Sequence, residues 1–477
     1  MKVTHASVKP TQAATQAGRP ELTPELLASV AAKYSRSDDG LESILSKIDP
    51  DNPEKSIDAI FAHVDYGHAS IADMVPVAMF MDEVSIFLAY YLWTETSIGA
   101  GQESSTRYIK MTIDGVLPFE LTGLPQEQKE EWLAFIQQAF QTYNETYQYW
   151  LDMADEKPQL TRVPDSLRND PSDKAQKQVQ RMIRNYAFDR ARYFLPVAAL
   201  TNVMIVQSAR EWARLANILN SHSCPEFQML GQLIVSEMQL ACPRMAKHTA
   251  ATESTRRYLQ HELEITRAFR CDLASNKMLP QFGKRCLENG SNSSMKPEAN
   301  VELFNTDSDV TMCGLALAAS NRDNRYSLFG SSIRRTSVRF SWDAMAMAEI
   351  RDLNRHKSGY KWCALNPQGF YCASDELPSS AQSDLDAAEE FGLTYSIKAA
   401  KELHKRTTGY EYWTMLGTQY YFEHTTQLDK FIYEGELRTG VGAHYRYAKH
   451  LRDALDELYF IAPELRSIIM EGSAEPE

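Results

Sequence analysis

A chain of 477 residues is long for one hydrophobic core, so its length sets an expectation of two domains. Its 43% hydrophobic and 10% aromatic content is that of a globular protein, and a net charge of −13 excludes a general nucleic-acid binder, which draws on a basic surface. Any phosphorylated ligand must then be held by a local cluster of arginines. The cysteines at 224, 242, 271, 286, 313, 363 and 372 are scattered, with no CxxC pair and no zinc-like His spacing. They read as reduced thiols and imply neither a disulfide framework nor a metal site. No run is long and apolar enough to span a bilayer, and residues 1–20 lack the apolar core of a signal peptide. The expectation is a cytoplasmic protein, without membrane or nucleic-acid partners, that begins with a disordered tail over 1–20.

Along the chain, Glu21 to Leu45 and Ser56 to His63 read as helices. Val75, Val77, Met79 and Met81 alternate as a half-buried strand, with Pro76 at its start. An apolar run from Ser85 to Trp93 follows, and then the polar heptapeptide Gln102 to Tyr108. Gln126 to Met153 is helical, Glu156 to Lys174 is a loop, and an apolar run ends at Val206. Helices are expected from Gln207 to Asn220 and around Met229 to Met238, closed by Cys242-Pro243. In the second half, Arg335 to Trp342 alternates as a strand, and Trp342, Met345, Ala346, Ile350 and Leu353 share a helical face. A helix from Asp384 to His404, an aromatic strand from Tyr410 to Phe422, a helix to Glu436 and a last helix running into Ala462-Pro463 complete it. Aligning Pro243 with Pro463 superposes the final strand and two helices of each half, which marks an internal duplication. The Asn/Ser/Pro-rich segment 288–309 reads as a flexible insertion.

The heptapeptide puts Glu103, Ser105, Arg107 and Tyr108 in one short turn. Arginine's planar fork suits a phosphate or a uracil edge, serine adds a donor or acceptor, and glutamate can take a ring or ribose proton. The plainer reading is an exposed loop in which Arg107 pairs with Glu103.

Read with what precedes it, this stretch resembles the flavin-dependent thymidylate synthases. His68 and Asp73 match that family's G-H-x-S-x-x-E/D opening, and Glu103, Ser105, Arg107 and Tyr108 match the end of R-H-R-x-x-S-x-x-E-x-S-x-R-Y. Its R-H-R is replaced here by Glu95, Thr96 and Ser97. The second half supplies Arg355-His356-Lys357 after its own strand and helix, although cations there also suit a helix C-terminus. Ala191 to Pro196 matches A-R-x-x-L-P, which makes Arg192 the phosphate arginine, and Ser208-Ala209-Arg210 matches N-A-R near the flavin. Taken singly, Arg192 and Arg210 would read as surface ion-pair residues. Arg438 restores the L-R arginine that contacts the pyrimidine. Glu253 to Tyr258 echoes the heptapeptide, and Gly442-Ala443-His444 falls where the family has a flavin-contacting histidine.

The resemblance implies an α+β chain of two tandem domains, each an antiparallel sheet packed with helices. The first, 21–245, carries the substrate half of the signature, and the second, 246–470, the R-H-K half. It implies reductive methylation of dUMP to dTMP at uracil C5, with FAD as cofactor and NADPH and methylenetetrahydrofolate as co-substrates. Glu103, Ser105, Arg107 and Arg192 would bind substrate, and Arg438 would be catalytic. His68, Arg210, Arg355, His356 and Lys357 would bind the cofactor. A homodimer would stand in for the family's tetramer. The alternatives are a flavoenzyme acting on another pyrimidine nucleotide and a catalytically silent nucleotide-binding relative.

Overall fold

The computed structural model describes residues 1–38, 40–65, 69–96, 99–269, 297–304, 322–440 and 442–472. The first half runs through strand β1 (Lys2–Ala6), helices α1 (Pro24–Tyr34) and α2 (Pro53–Asp65), strand β2 (Pro76–Ser85), helix α3 (Ile86–Glu95) and strand β3 (Gly99–Glu103). Helices α4 (Lys129–Glu156) and α5 (Asp173–Ala191) follow, then strand β4 (Leu200–Ser208) and helices α6 (Ala209–Ser221) and α7 (Pro225–Ala241). The second half runs through strands β5 (Ala299–Phe304) and β6 (Ser337–Ala346), helix α8 (Met347–Asn354), strand β7 (Tyr360–Phe370) and helix α9 (Asp386–His404). Strand β8 (Thr418–Gln427) and helices α10 (Leu428–Arg438) and α11 (Tyr445–Ile461) close it.

The strands form two antiparallel four-stranded sheets, ordered β1-β2-β4-β3 and β5-β6-β8-β7. In both, the central strand leads straight into a helix, the next strand is the far edge, and the last strand is followed by two helices. The pairing register also breaks at corresponding places, between Met81 and Val84 on β2 and between Trp342 and Met345 on β6. A bulge shared by two sheets of the same order is hard to produce twice independently. The chain is α+β and built from tandem repeats.

Packing divides the chain into two compact units. One comprises Met1–Ser104, Glu120–Gly123 and Leu200–Leu263, and the other Ser105–Phe119, Leu124–Ala199 and Glu264–Glu477. This differs from the expected break at 245–246, because α4 and α5 belong with the second sheet. The backbone after α5 explains it: Leu416 N donates to Leu195 O at 2.9 Å and Gly417 N to Tyr193 O at 2.7 Å. Trp132 Nε1 on α4 likewise donates to Tyr412 O at 3.0 Å.

Within the first unit, β2 buries Val77, Met79 and Met81 by strict alternation. Helix α3 is apolar nearly all round and accordingly buried. Its N-cap Ser85 accepts from Leu88 N at 2.9 Å and donates to the buried Glu226 at 2.7 Å.

Five expectations are corrected. The 1–20 segment begins as strand β1, because Val3 buries its side chain while Lys2–Ala6 pair with β2. Glu21 to Leu45 is two helices, Pro24–Tyr34 and Leu41–Ser46. Residues 299–304 of the expected insertion pair with β6 as an edge strand, and its other residues, apart from 297 and 298, lie outside the described ones. The aromatic strand starts at Thr418 instead of Tyr410, since Tyr410–Trp413 is a 3-10 turn. Trp342 to Ala346 belong to β6 instead of to a helix.

Gly359 opens β7 at φ +74°, and a Cβ there would stand 2.1 Å from Thr425 O. A Gly359→Ala change is expected to cost about 2–4 kcal/mol, from positive-φ strain plus that collision. A melting temperature equal to the parent's would contradict this.

Candidate active site

The second unit gathers residues from both halves of the sequence around a set of buried carboxylates. Just past β3, Ser105 Oγ accepts the backbone N–H of Arg107 at 3.2 Å and turns the chain inward. Arg107 is only 8% exposed. Its Nε and Nη2 donate to both oxygens of the fully buried Asp189, at 2.7 and 2.8 Å, and its Nη1 donates to Gly442 O at 3.3 Å. This two-point fork is the strong form of an arginine–carboxylate contact. The His444 ring is fully buried, with Nε2 3.3 Å from Asp189 O and Nδ1 accepting from Arg446 N at the start of α11. Burial, with Arg192 and Arg107 nearby, pushes His444 well below the usual imidazole range, so it is neutral.

Arg192, at the end of α5, donates from Nη2 to Asp352 Oδ2 at 3.1 Å and lies 3.8 Å from Glu349 Oε1. Asp352 and Glu349 both sit on α8, three residues apart and so on one helical face. Arg438, at the end of α10, donates from Nη2 to Asp352 O at 3.2 Å and from Nη1 to Tyr447 OH at 3.4 Å. Burial alone would raise the Asp352 carboxyl, but Arg192, Arg107, Arg438 and Arg351 together hold it below the usual range. Three of the arginines expected to touch substrate therefore share the field of a single carboxylate. Burial pushes Glu349 the other way, up to about 7 despite Arg192 and Arg446.

The R-H-K segment follows α8, with Arg355 as its C-cap residue. His356 Nε2 accepts from Arg438 Nε at 2.7 Å, which places the proton of the neutral ring on Nδ1. Behind it, Glu434 lies 3.9 Å from His356 Nε2 and 3.3 Å from His424 Nδ1. Burial would raise Glu434, yet His356, His424 and Lys361 hold it down at about 2. Lys357 is pushed down to about 7 by burial and by the neighbouring Lys361 and Arg355. An anion set among these three cations would offset their repulsion, so this segment fits a phosphate or pyrophosphate.

His356 itself is held at about 4, mainly by burial, against an ordinary value of 6.5. Between those values the unfolded chain binds a proton that the folded one refuses. Its contribution is complete above pH 6.5 and is lost as pH falls towards 4, by about 3 kcal/mol in all. A His356→Asn variant keeps an acceptor for Arg438 and should lose less stability than the parent when urea midpoints are compared across that window. A parent-to-variant difference that stays constant with pH would contradict the assignment.

Two of the remaining expected site residues, Glu103 and Arg210, belong to the first unit. Glu103 ends β3 in the first unit, where it accepts from Trp93 Nε1 at 3.0 Å. Arg107, in the second unit, takes Asp189 as its carboxylate partner. Arg210 forms an exposed ion pair with Asp73 at 2.8 Å, the plainer of its two readings, because α6 turns it to solvent. His68 lies outside the described residues. The acids that organise the cluster, Asp189, Glu349, Asp352 and Glu434, were not singled out from sequence. Their one signal was a carboxylate among the core-facing positions of an amphipathic helix.

Residues 21–244 match a family described as thymidylate synthase complementing protein. The chain is also 25% identical over 237 residues to UPF0159 protein Ta1429 of Thermoplasma acidophilum, an alignment covering 46% of this chain and 47% of that protein. It therefore spans about half the length of that relative. The resemblance to flavin-dependent thymidylate synthases holds for the half carrying the S-x-R-Y ending. Within the matched residues, Arg107 and Arg192 are the motif residues that reach the cluster. Among the described residues no helix is long and apolar enough to cross a membrane.

Proposed function

We propose that this chain is a flavin-dependent thymidylate synthase-like enzyme that methylates dUMP at uracil C5, in a site pooled from its two repeats. The observation that carries this reading is the convergence on Asp352 of Arg192 from the first repeat and Arg438 from the second. Arg192 keeps a buried Nε without a hydrogen-bond partner among the described residues, a donor suited to the nucleotide phosphate. Arg107 would support that contact from its fork on Asp189, and Ser105 would hold the turn. Arg438 is fixed by acceptors that are neutral or backbone, His356 Nε2, Tyr447 OH and Asp352 O, so its charge can be spent on the pyrimidine. A guanidinium held in that way stabilises the negative charge that develops as C5 becomes nucleophilic.

Arg355, Lys357 and Lys361 would hold the FAD pyrophosphate, for which their mutual repulsion fits them. Once bound, the flavin would carry reducing equivalents from NADPH to a methyl group whose carbon comes from methylenetetrahydrofolate. The protein's part is to orient the nucleotide, keep water out and fix the cations. With two repeats per chain, a homodimer is the proposed equivalent of a tetramer of single domains.

Release of tritium from dUMP labelled at C5 tests the reaction. The expected result is release that requires FAD, NADPH and methylenetetrahydrofolate together. Release from another pyrimidine nucleotide and not from dUMP would move the assignment to a related flavoenzyme. A nucleotide-binding relative without catalysis is the second reading, favoured by the buried carboxylate that already takes up most of the Arg107 fork. It predicts no release from any nucleotide.

A further inference from the structure

A row of hydroxyls, unused in that reaction, runs from the arginine cluster to the protein surface within the second unit. Tyr193 OH donates to Glu349 Oε1 at 2.7 Å, and Tyr445 OH donates to Tyr193 OH at 3.3 Å. The Tyr445 and Tyr371 hydroxyls are 3.4 Å apart, and Tyr371 OH donates to Asp375 Oδ1 at 2.7 Å. Glu349 is fully buried, and its Oε2 accepts no hydrogen bond among the described residues. Asp375, at the other end, has a side chain 43% exposed, paired with Arg446 at 2.8 Å and lying 3.7 Å from Lys449. The rings are held by packing: Tyr193 meets Tyr371 edge to face at 4.7 Å, and Tyr445 lies under the Arg190 guanidinium at 4.2 Å.

A count of protons shows what the row can do. With both carboxylates ionised, Tyr193 and Tyr371 donate outward to Glu349 and Asp375. Tyr445 then has a single proton for two neighbours, so one of the four links has none. One further proton on Glu349 completes the row, since the acid donates to Tyr193, Tyr193 to Tyr445, Tyr445 to Tyr371 and Tyr371 to Asp375.

We propose that Tyr193, Tyr445 and Tyr371 form a proton path between the buried Glu349 carboxyl and Asp375 at the surface. In the outward direction the Glu349 O–H breaks and its proton passes to the Tyr193 oxygen. Each phenol hands its own proton to the next oxygen, and Asp375 receives the last. Four O–H bonds break and four form, Glu349 ends as the anion, and Asp375 ends neutral and gives its proton to solvent. Uptake is the reverse. The groups facing Glu349 are Tyr193 and Arg192 from the segment after α5, Arg446 from α11 and Asp352 from its own helix. Burial keeps Glu349 near 7 against those arginines, so both its forms exist near neutrality. Burial also pushes all three phenols well above their ordinary value, so they pass protons on and do not lose them. The path lets a partner of Arg192 change charge without the fold opening, and it does not depend on the proposed reaction.

The test is a pH jump across neutrality on the full chain, followed by the infrared stretch of the protonated carboxyl. The Glu349 band is identified as the one missing from Glu349→Gln. The two inner links are long for hydroxyl pairs and share Tyr445, so that residue should limit the rate. Tyr445→Phe keeps its ring under Arg190, and it should leave the midpoint of the Glu349 band in place while slowing its relaxation at least about tenfold. Tyr371→Phe should do the same, and it serves if the first variant fails to fold. A merely structural hydroxyl would lower the melting temperature and leave the relaxation rate alone. Relaxation at the parent rate in a folded phenylalanine variant would overturn the proposal, as would a carboxyl band unchanged in Glu349→Gln.

Discussion

Replacing Arg107 with alanine is expected to destabilise the protein by about 3–5 kcal/mol, the cost of leaving a buried carboxylate without its partner. Asp189 is fully buried and both its oxygens accept from that one guanidinium, so the loss exposes no solvent-screened charge that water could rescue. Adding Asp189→Asn to the alanine variant should recover part of the loss, because it removes the orphaned charge. Arg210→Ala is the matched control. Its pair with Asp73 is 49% and 43% exposed, and its loss should shift stability by no more than about 0.5 kcal/mol. Urea denaturation of the four proteins decides the matter. An Arg107→Ala cost as small as the Arg210→Ala cost would mean that Asp189 is compensated by something other than this arginine.

Arg438→Ala should behave in the opposite way, with a modest effect on the fold and a large one on turnover. Its direct hydrogen-bond partners are His356 Nε2, Tyr447 OH and a main-chain carbonyl, so truncation leaves no carboxylate stripped of its own ion pair. Losing one fixed donor aimed at developing negative charge typically lowers kcat by about 10²–10³-fold. Tritium release from labelled dUMP should fall by that factor while the urea midpoint stays near the parent's. A folded variant with the parent's turnover would remove Arg438 from the chemistry.

These two arginines show what could be read before the fold was known. Arg107, Arg192, Arg438 and the 355–357 segment were identified from motif order, and all of them lie in the second unit. Their partners were not legible, because Arg107 meets an aspartate 82 residues along the chain and Arg192 one 160 residues along. Sequence spacing carries no information on contacts of that range. Strand β2 was legible because Val77, Met79 and Met81 alternate. Strand β1 was not, because five residues with a single buried side chain differ little from a polar tail. The aromatic run from Tyr410 was misread for a related reason: rings buried in a 3-10 turn against α4 and α9 give the same apolar density as a strand. The repeat itself was visible in sequence only over the final strand and two helices of each half, aligned on Pro243 and Pro463. The matching sheet orders and matching bulges come from pairing and not from residue identity.

The most direct test is the visible spectrum of the purified full chain after incubation with FAD and removal of the unbound cofactor, followed by titration with dUMP. Retained flavin bands that dUMP perturbs to saturation are the expected result. A colourless protein that leaves all added FAD in the filtrate would contradict a pooled flavin and nucleotide site.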